Sequence, residues 1–413
     1  MVSLAKARPM GSFITHERDR VVLMHVLLVE PEYYTRYPPL GLLKLGSYHR
    51  SRGDTVELIR GLGEPDRKPD LIHVTSLFTY SWKPVHEAVR HYRALFPDVK
   101  IHLGGIYASL LPEHAKLSGA DDVHIGLFLP AEPFMPAYDL IPQWRSSILF
   151  ASRGCIRRCG FCSVPKLEGR PSNLPYGIRD LIYPGHKRII LWDNNILGNP
   201  NWHAIFDELI QIGLDVDFNQ GLDARLLTEE VAQKIGRMRT SVIRLAYDFY
   251  GIGPAVKQAI ECLEEFGVRG RKIVVYTLFN YTDSPDNFFE RVRDLLEWGV
   301  VSYPMRYEPL TSLEKNKFVS PNWDADRLEM VADARRVMGF AGAFPPYKGL
   351  VKKFLKARNF ERAFALRPIL ERIRVSKPSN ALREQGADHE QLITVENKRP
   401  RGIGAKDWRN QGY

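Results

Sequence analysis

"SRGCIRRCGFCSVPK", residues 152–166, places three of the chain's four cysteines within eight positions. The spacing is C-x3-C-x2-C, formed by Cys155, Cys159 and Cys162. Thiolates are soft ligands suited to zinc and to iron–sulfur clusters. A structural zinc site takes four ligands, usually two C-x2-C pairs or a Cys/His set. Here no histidine lies near. The fourth cysteine, Cys262, comes about a hundred residues later among the apolar neighbours of "AVKQAIECLEEFG", where it reads as a small buried hydrophobe. Three thiolates on a four-iron cluster leave one iron open to another ligand, and that open position is the chemical point of the spacing.

The loop follows "SSILFAS" (146–152), which reads as a strand. Further strands follow at "RIILWDNN" (188–195), "DVDFNQGLD" (215–223), "SVIRLAYD" (241–248), "KIVVYTLFN" (272–280) and "SYPMRYEPL" (302–310). Helical patterns such as "WHAIFDELIQIG", "TEEVAQKIGRM" and "NFFERVRDLLEWG" separate them, ending near Gly or a short turn. Successive βα units of this kind predict a partial (β/α)6 TIM-type barrel over 144–310. Polar residues gather at the strand ends: Asp193, Asn194 and Asn195; Gln220 and Asp223; Asp248; Asn280; Arg306 and Glu308. Barrel chemistry sits at that rim, so they are site candidates as a group. Singly, each also suits a turn or a cap.

Ahead of the barrel, "VVLMHVLLVEP" (21–31), "TVELIRG" (55–61), "DLIHVTSLF" (70–78), "KIHLGGIY" (100–107) and "DDVHIG" (121–126) read as strands. Two amphipathic helices, "PPLGLLKLGSYHRSRG" and "WKPVHEAVRHYRALFP", lie between them. This alternation predicts an open parallel α/β sheet over 21–143, of the Rossmann-like kind that binds ligands at the carboxyl ends of its strands. "LFLPAEPFMPAYDLIPQ" (127–143) reads as an extended linker.

With 44% hydrophobic and 26% charged residues, the chain is an ordinary globular protein. No apolar run approaches the ~20 residues needed to span a bilayer. The polar leader 1–20 has no apolar centre like that of an export signal. The expectation is a cytoplasmic protein with no membrane partner, in which clustered cysteines serve a metal or redox chemistry rather than disulfides. Of the net charge of +10, residues 346–413 carry nearly all, with 16 Lys and Arg against 7 Asp and Glu. Region 311–413 therefore reads as helical, then as a basic, partly disordered tail. Such a tail suits nucleic acid or simple solubility.

The cysteine loop after a first barrel strand, with "SRGC" before it and the aromatic Phe161 just before the last cysteine, resembles the radical S-adenosylmethionine (SAM) enzymes. The resemblance covers about 145–310 and implies a [4Fe–4S] cluster on Cys155, Cys159 and Cys162, with SAM chelating the fourth iron. One electron from the cluster would cleave SAM to methionine and a 5′-deoxyadenosyl radical. It implies an electron donor such as flavodoxin or ferredoxin. It places Phe161 near the adenine, and Asp193, Asn194 and Asn195 where the family usually has a Gly-Gly-Glu-like turn. "RLAYD" puts Asp248 at the ribose, with Arg244 either approaching the SAM carboxylate or forming a barrel-wall ion pair. Met305, Arg306 and Tyr307 lie where the last strand closes around SAM or substrate.

The first domain resembles the cobalamin-binding branch of that family through "PPLGLLKLGSYHRSRG", "LGGIYASLLPEHA" and "PAYDLIP". The Asp-x-His-x-x-Gly motif that ligates cobalt is absent, and the chain reads "EPEYYTRYPPLG" there. With cobalamin, methyl transfer or rearrangement is implied; without it, hydrogen abstraction leading to oxidation or rearrangement. No second cysteine cluster is present, which argues against methylthiotransferases and members with auxiliary clusters. Two alternatives stay open: a radical SAM enzyme acting on nucleic acid or a nucleotide, and a non-catalytic, metal-stabilised nucleic-acid-binding protein, marked by salt-dependent binding without SAM cleavage.

Overall fold

The computed structural model describes residues 23–366 apart from 175. The polar leader and residues 367–413 of the basic tail lie outside the described residues.

Every strand expected in the first domain forms. The parallel sheet comprises β1 (His25–Glu30), β2 (Thr55–Arg60), β3 (Leu71–Ser76), β4 (Lys100–Gly105) and β5 (Asp122–Val123), in the order β2-β1-β3-β4-β5. The order reverses between β1 and β3, the switch point at which sheets of this kind open a crevice. Alternation divides each strand between two faces. Val26 and Leu28 meet Leu42 of α1 (Leu40–Ser51). Leu27, Val29, Ile72 and Val74 meet Val85, Val89 and Tyr92 of α2 (Trp82–Leu95). Beyond β4, α3 (Ile106–Leu110) and α4 (Pro112–Lys116) complete that second layer. Gly105, with φ of 102°, closes β4; a Cβ there would lie 2.1 Å from Ser76 O, so only glycine lets the ends of β3 and β4 meet.

The 127–143 segment is not a free linker. It makes short 3-10 turns at Leu129–Ala131 and Tyr138–Leu140, and it buries Ala131, Glu132, Ala137, Tyr138 and Ile141. Tyr138 Oη donates to Ile148 O (3.1 Å) and accepts from Ile148 N (2.6 Å), fastening the segment to the first barrel strand.

The barrel elements are β6 (Ser146–Leu149), β7 (Ser152–Arg153), α5 (Val164–Leu167), β8 (Ser172–Asn173), β9 (Arg188–Leu191), α6 (Trp202–Ile212), β10 (Asp215–Phe218), α7 (Glu229–Gly236), β11 (Ile243–Ala246), α8 (Gly253–Glu265), β12 (Ile273–Phe279), α9 (Pro285–Glu297) and β13 (Val301–Arg306). The six wall strands form two parallel sheets, β10-β9-β6 and β11-β12-β13. Between β10 and β11 the wall is joined outside the ladders, where Leu222 N donates to Arg244 O (2.8 Å) and Val216 N to Arg239 O (2.7 Å). Ile189, Leu191, Val216, Phe218, Ile243 and Leu245 pack outward on α6, α7 and α8, whereas Ile148, Phe150 and Ile190 pack apart from that cluster with Tyr37 and Leu40 of the first domain. Sequence signals start the helices: Thr228 Oγ1 accepts from Val231 N (3.4 Å) and Ser284 Oγ from Asn287 N (3.2 Å), with Pro285 at the first helical position.

After the barrel come α10 (Ala325–Val337), α11 (Lys348–Lys356) and α12 (Phe360–Phe364). Phe354, Phe360 and Phe364 are buried with Trp323 against Phe288 and Phe289 of α9. Burying one such ring is worth ~1.5–3 kcal/mol. The basic stretch that starts at 346 thus begins inside the folded body. No helix among the described residues is long and apolar enough to cross a membrane.

Candidate functional site

The cysteine loop is clamped at both ends. Asp193, fully buried beyond β9, accepts bonds from Ala151 N (3.0 Å), Ser152 N (2.6 Å) and Ser152 Oγ (2.7 Å). Burial pushes its carboxyl up to about 6 against the pull of these donors. β7 pairs antiparallel with β8, a two-residue ladder that sequence periodicity cannot reveal. Gly154 has φ of 79°, and a Cβ there would stand 2.3 Å from Arg170 O. Its N–H donates to Glu168 Oε2 (3.0 Å), and Cys155 N donates to Gly169 O (3.2 Å), which closes the loop. Asn194 Nδ2 reaches the same Glu168 oxygen (2.9 Å). Asp193 and Asn194 therefore support the loop.

The three thiols are partly exposed. Burial pushes Cys159 up, and Cys162 and Asp248 add to this. Cys162 rises for the same first reason, helped by Cys155 and Asp248. Uncharged thiols massed near a carboxylate resist ionisation until a cation arrives, and a bound metal centre inverts that balance. Among the described residues, no three His, Cys, Asp or Glu side chains are placed to hold a single metal ion. A cluster attaches each thiolate to a different iron, so its ligands need not converge on one point. The soft donor set and the N–H groups directed at sulfur suit a cluster: Arg157 N stands 3.3 Å from Cys155 Sγ and Asn195 Nδ2 3.6 Å.

Asp248, half-buried just past the end of β11, is pushed up to about 6 by burial, opposed by Arg291 and Arg225. Arg291 of α9, wholly buried, donates to Tyr247 O (2.7 Å), Asp248 O (3.1 Å) and Leu278 O (2.8 Å), and pairs with Asp283 (2.6 Å). It fixes the rim where β11 and β12 end. Nothing in the sequence marks it, because an arginine in an amphipathic helix ordinarily faces water. Phe161 meets Tyr281 edge-on at 5.6 Å, Tyr281 meets Tyr307 at 4.7 Å, and Tyr307 meets Phe318 at 5.4 Å. Met305 is exposed at the end of β13, and Arg306 Nη2 donates to Phe318 O (2.9 Å). Arg244 is buried in an ion pair with Asp217, which also binds Arg188 (2.7 Å). Asn280 is a turn residue with φ of 64°, its side chain bonded to Phe318 O (3.0 Å) and Ser320 N (2.9 Å). Cys262 packs against the outer barrel core.

The first domain turns its carboxyl edge to the barrel rim. Tyr37, in the loop after β1, accepts from Asn219 Nδ2 (2.6 Å) and lies edge-on to Trp192 at 5.4 Å. Thr79, after β3, donates to Ser312 O (2.6 Å), beyond β13. A buried charge chain joins the parts: Lys44 of α1 pairs with Glu132 (3.1 Å), Glu132 with Arg153 (2.8 Å), and Arg153 with Glu168 (3.3 Å).

No family model matches the chain, and no curated protein matches it. Solved structures do. The radical S-adenosylmethionine methyltransferase TsrM from Kitasatospora setae, with cobalamin and a [4Fe–4S] cluster bound, superposes with a TM-score of 0.54 at 15% identity, covering 78% of this chain and 80% of that one. Its structure with tryptophan substrate and the SAM analogue aza-SAM gives a TM-score of 0.53, also at 15% identity, over 76% and 77%. Residues 144–310 are less than half of the chain, so the likeness extends beyond the barrel. The chain shares the fold of this radical S-adenosylmethionine methyltransferase.

Proposed function

We propose that the chain is a radical SAM enzyme in which Cys155, Cys159 and Cys162 hold a [4Fe–4S] cluster and SAM completes it. One observation carries the reading: three thiols share a loop directly after the first barrel strand, clamped by the carboxylates of Asp193 and Glu168. When bound, the cluster supplies the electron for reductive cleavage of SAM. The chain's own residues then position and enclose. Asp248 accepts the ribose hydroxyls, and Arg291 keeps it in place through its main-chain carbonyl. Phe161, braced by Tyr281, offers a flat apolar face to the adenine. Asn195 directs an amide at Cys155, and Met305 and Arg306 border the substrate side. Arg244, paired with Asp217, shapes the wall, the second of its two expected roles.

A further reading adds cobalamin to the first domain, supporting methyl transfer or rearrangement. Its support is the carboxyl edge of the first sheet, where Tyr34, Phe78, Ile106 and Ile125 follow four strands and stay exposed. A broad apolar edge suits a large planar ligand. The loop after β1 reads Pro31, Glu32, Tyr33 and offers no histidine, so the cobalt would be held without a ligand from that position.

The test is anaerobic reconstitution with iron and sulfide, followed by reduction with SAM. The wild-type chain forms 5′-deoxyadenosine and methionine, and Cys159→Ala forms neither. Near-wild-type cleavage by Cys159→Ala overturns the assignment. Reconstitution with hydroxocobalamin and removal of unbound cofactor tests the cobalamin reading, which fails if no cobalamin absorption is retained.

A further inference from the structure

Two N–H groups point at the sulfur of Cys155, and the side chains of both residues that supply them end on one carboxylate oxygen. Arg157 N lies 3.3 Å from Cys155 Sγ and Asn195 Nδ2 lies 3.6 Å from it. Asp223 Oδ2 accepts from Arg157 Nε at 2.9 Å and from Asn195 Nδ2 at 3.3 Å. The amide of Asn195 cannot turn over freely, because its Oδ1 accepts from Gly198 N (3.2 Å). Asp223 is itself pinned by Arg225, whose Nε (2.7 Å) and backbone N (3.2 Å) bind Oδ1 and whose Nη2 (3.1 Å) binds Oδ2.

We propose that Asp223 is a positioning residue that sets the reduction potential of the centre on Cys155 by holding the Arg157 and Asn195 donors to its sulfur. The inference rests on the reading that the three thiols hold a cluster. Hydrogen bonds to cluster sulfurs stabilise the more negative, reduced state, so they raise the potential. The expected direction of the shift separates this role from a simple charge effect. Removing the negative charge of Asp223 would by itself make reduction easier. Releasing the donors makes it harder.

The experiment is a redox titration of the reconstituted full chain, followed by electron paramagnetic resonance, for wild type, Asn195→Leu, Asp223→Asn and the double variant. Leucine keeps the branched, four-heavy-atom outline of the Asn195 side chain and removes the donor. Each single variant is expected to lower the ratio of reduced to oxidised cluster on the order of tenfold at fixed ambient potential, about 59 mV for one electron. The double variant is expected to go no further than Asp223→Asn, because that substitution already releases the Asn195 donor that leucine removes, together with Arg157 N. A higher potential in Asp223→Asn, additive shifts, or an unmoved Asn195→Leu overturns the proposal. If Asp223→Asn retains no cluster, Asn195→Leu alone decides. A wild-type chain that takes up no cluster overturns the functional reading along with this inference, whereas normal uptake with unmoved potentials overturns this inference alone.

Discussion

Glu132→Gln removes the carboxylate that joins the two halves of the protein while keeping its size. In the native chain that carboxylate receives Arg153 Nη2 at 2.8 and 2.9 Å, Arg153 Nε at 3.3 Å and Lys44 Nζ at 3.1 Å. All three side chains are nearly out of water, with relative exposures of 12% for Glu132, 9% for Arg153 and 3% for Lys44. Burial would raise Glu132, but Arg153 and Lys44 more than offset it and hold the carboxyl low. Burial also lowers Lys44. Breaking a buried pair from one side costs ~3–5 kcal/mol, because the remaining charge stays desolvated. Arg153 keeps Glu168, and Lys44 keeps the main-chain carbonyl of Glu132 at 2.8 Å, which puts the expected loss near the lower end, about 3 kcal/mol. Urea unfolding followed by far-ultraviolet circular dichroism reads it. Adding Lys44→Met to Glu132→Gln should recover part of the loss, since one unpaired cation is then gone. A change below about 0.5 kcal/mol in Glu132→Gln would show that the pair holds nothing together.

Acid should weaken the first domain through His73. Burial lowers its pKa to about 3 from 6.5, so the unfolded chain binds the extra proton; stability falls as pH drops from 6.5 towards 3, by at most about 1.4 kcal/mol per pH unit. His86, lowered to about 4, adds to the slope, and His73→Gln should flatten it in urea titrations between pH 7 and 5. Gly154→Ala meets both a φ of 79° and the Arg170 carbonyl, so the reconstituted protein should lose most of its iron; retention at the wild-type level would refute the loop geometry. Cys262→Ala should leave iron and sulfide content unchanged, because that thiol packs on the outer barrel core.

The strands and their alternation with helices were legible because apolar runs bounded by turn residues encode them locally, and all eleven expected strands form. The cysteine loop was legible from its spacing, its aromatic Phe161 and its place after a strand. What stayed hidden is held by partners far apart in the chain. Lys44 and Glu132 are separated by 88 positions, and the proline-rich composition around Glu132 suggested a linker where a buried charge sits. The resemblance puts Asp193 and Asn194 at the cofactor; their partners within the chain, Ser152 and Glu168, follow from the closure of the loop, which spacing does not encode. Arg291 reads as a surface residue of an amphipathic helix until the rim closes around it. Residues 346–366 read as the start of a basic tail, yet Phe354, Phe360 and Phe364 carry the packing, while Lys352 and Lys356 are exposed and Lys353 meets the main-chain carbonyl of Ala365.

On the proposed reading, Cys155, Cys159 and Cys162 hold a cluster to which SAM binds directly. The low-temperature electron paramagnetic resonance spectrum of the reduced, reconstituted full chain, with and without SAM, beside its iron and sulfide content, decides this. The expected result is about four irons and four sulfides per chain, with a spectrum that changes when SAM is added. A full complement whose spectrum ignores SAM, or a chain that takes up no cluster, would contradict it.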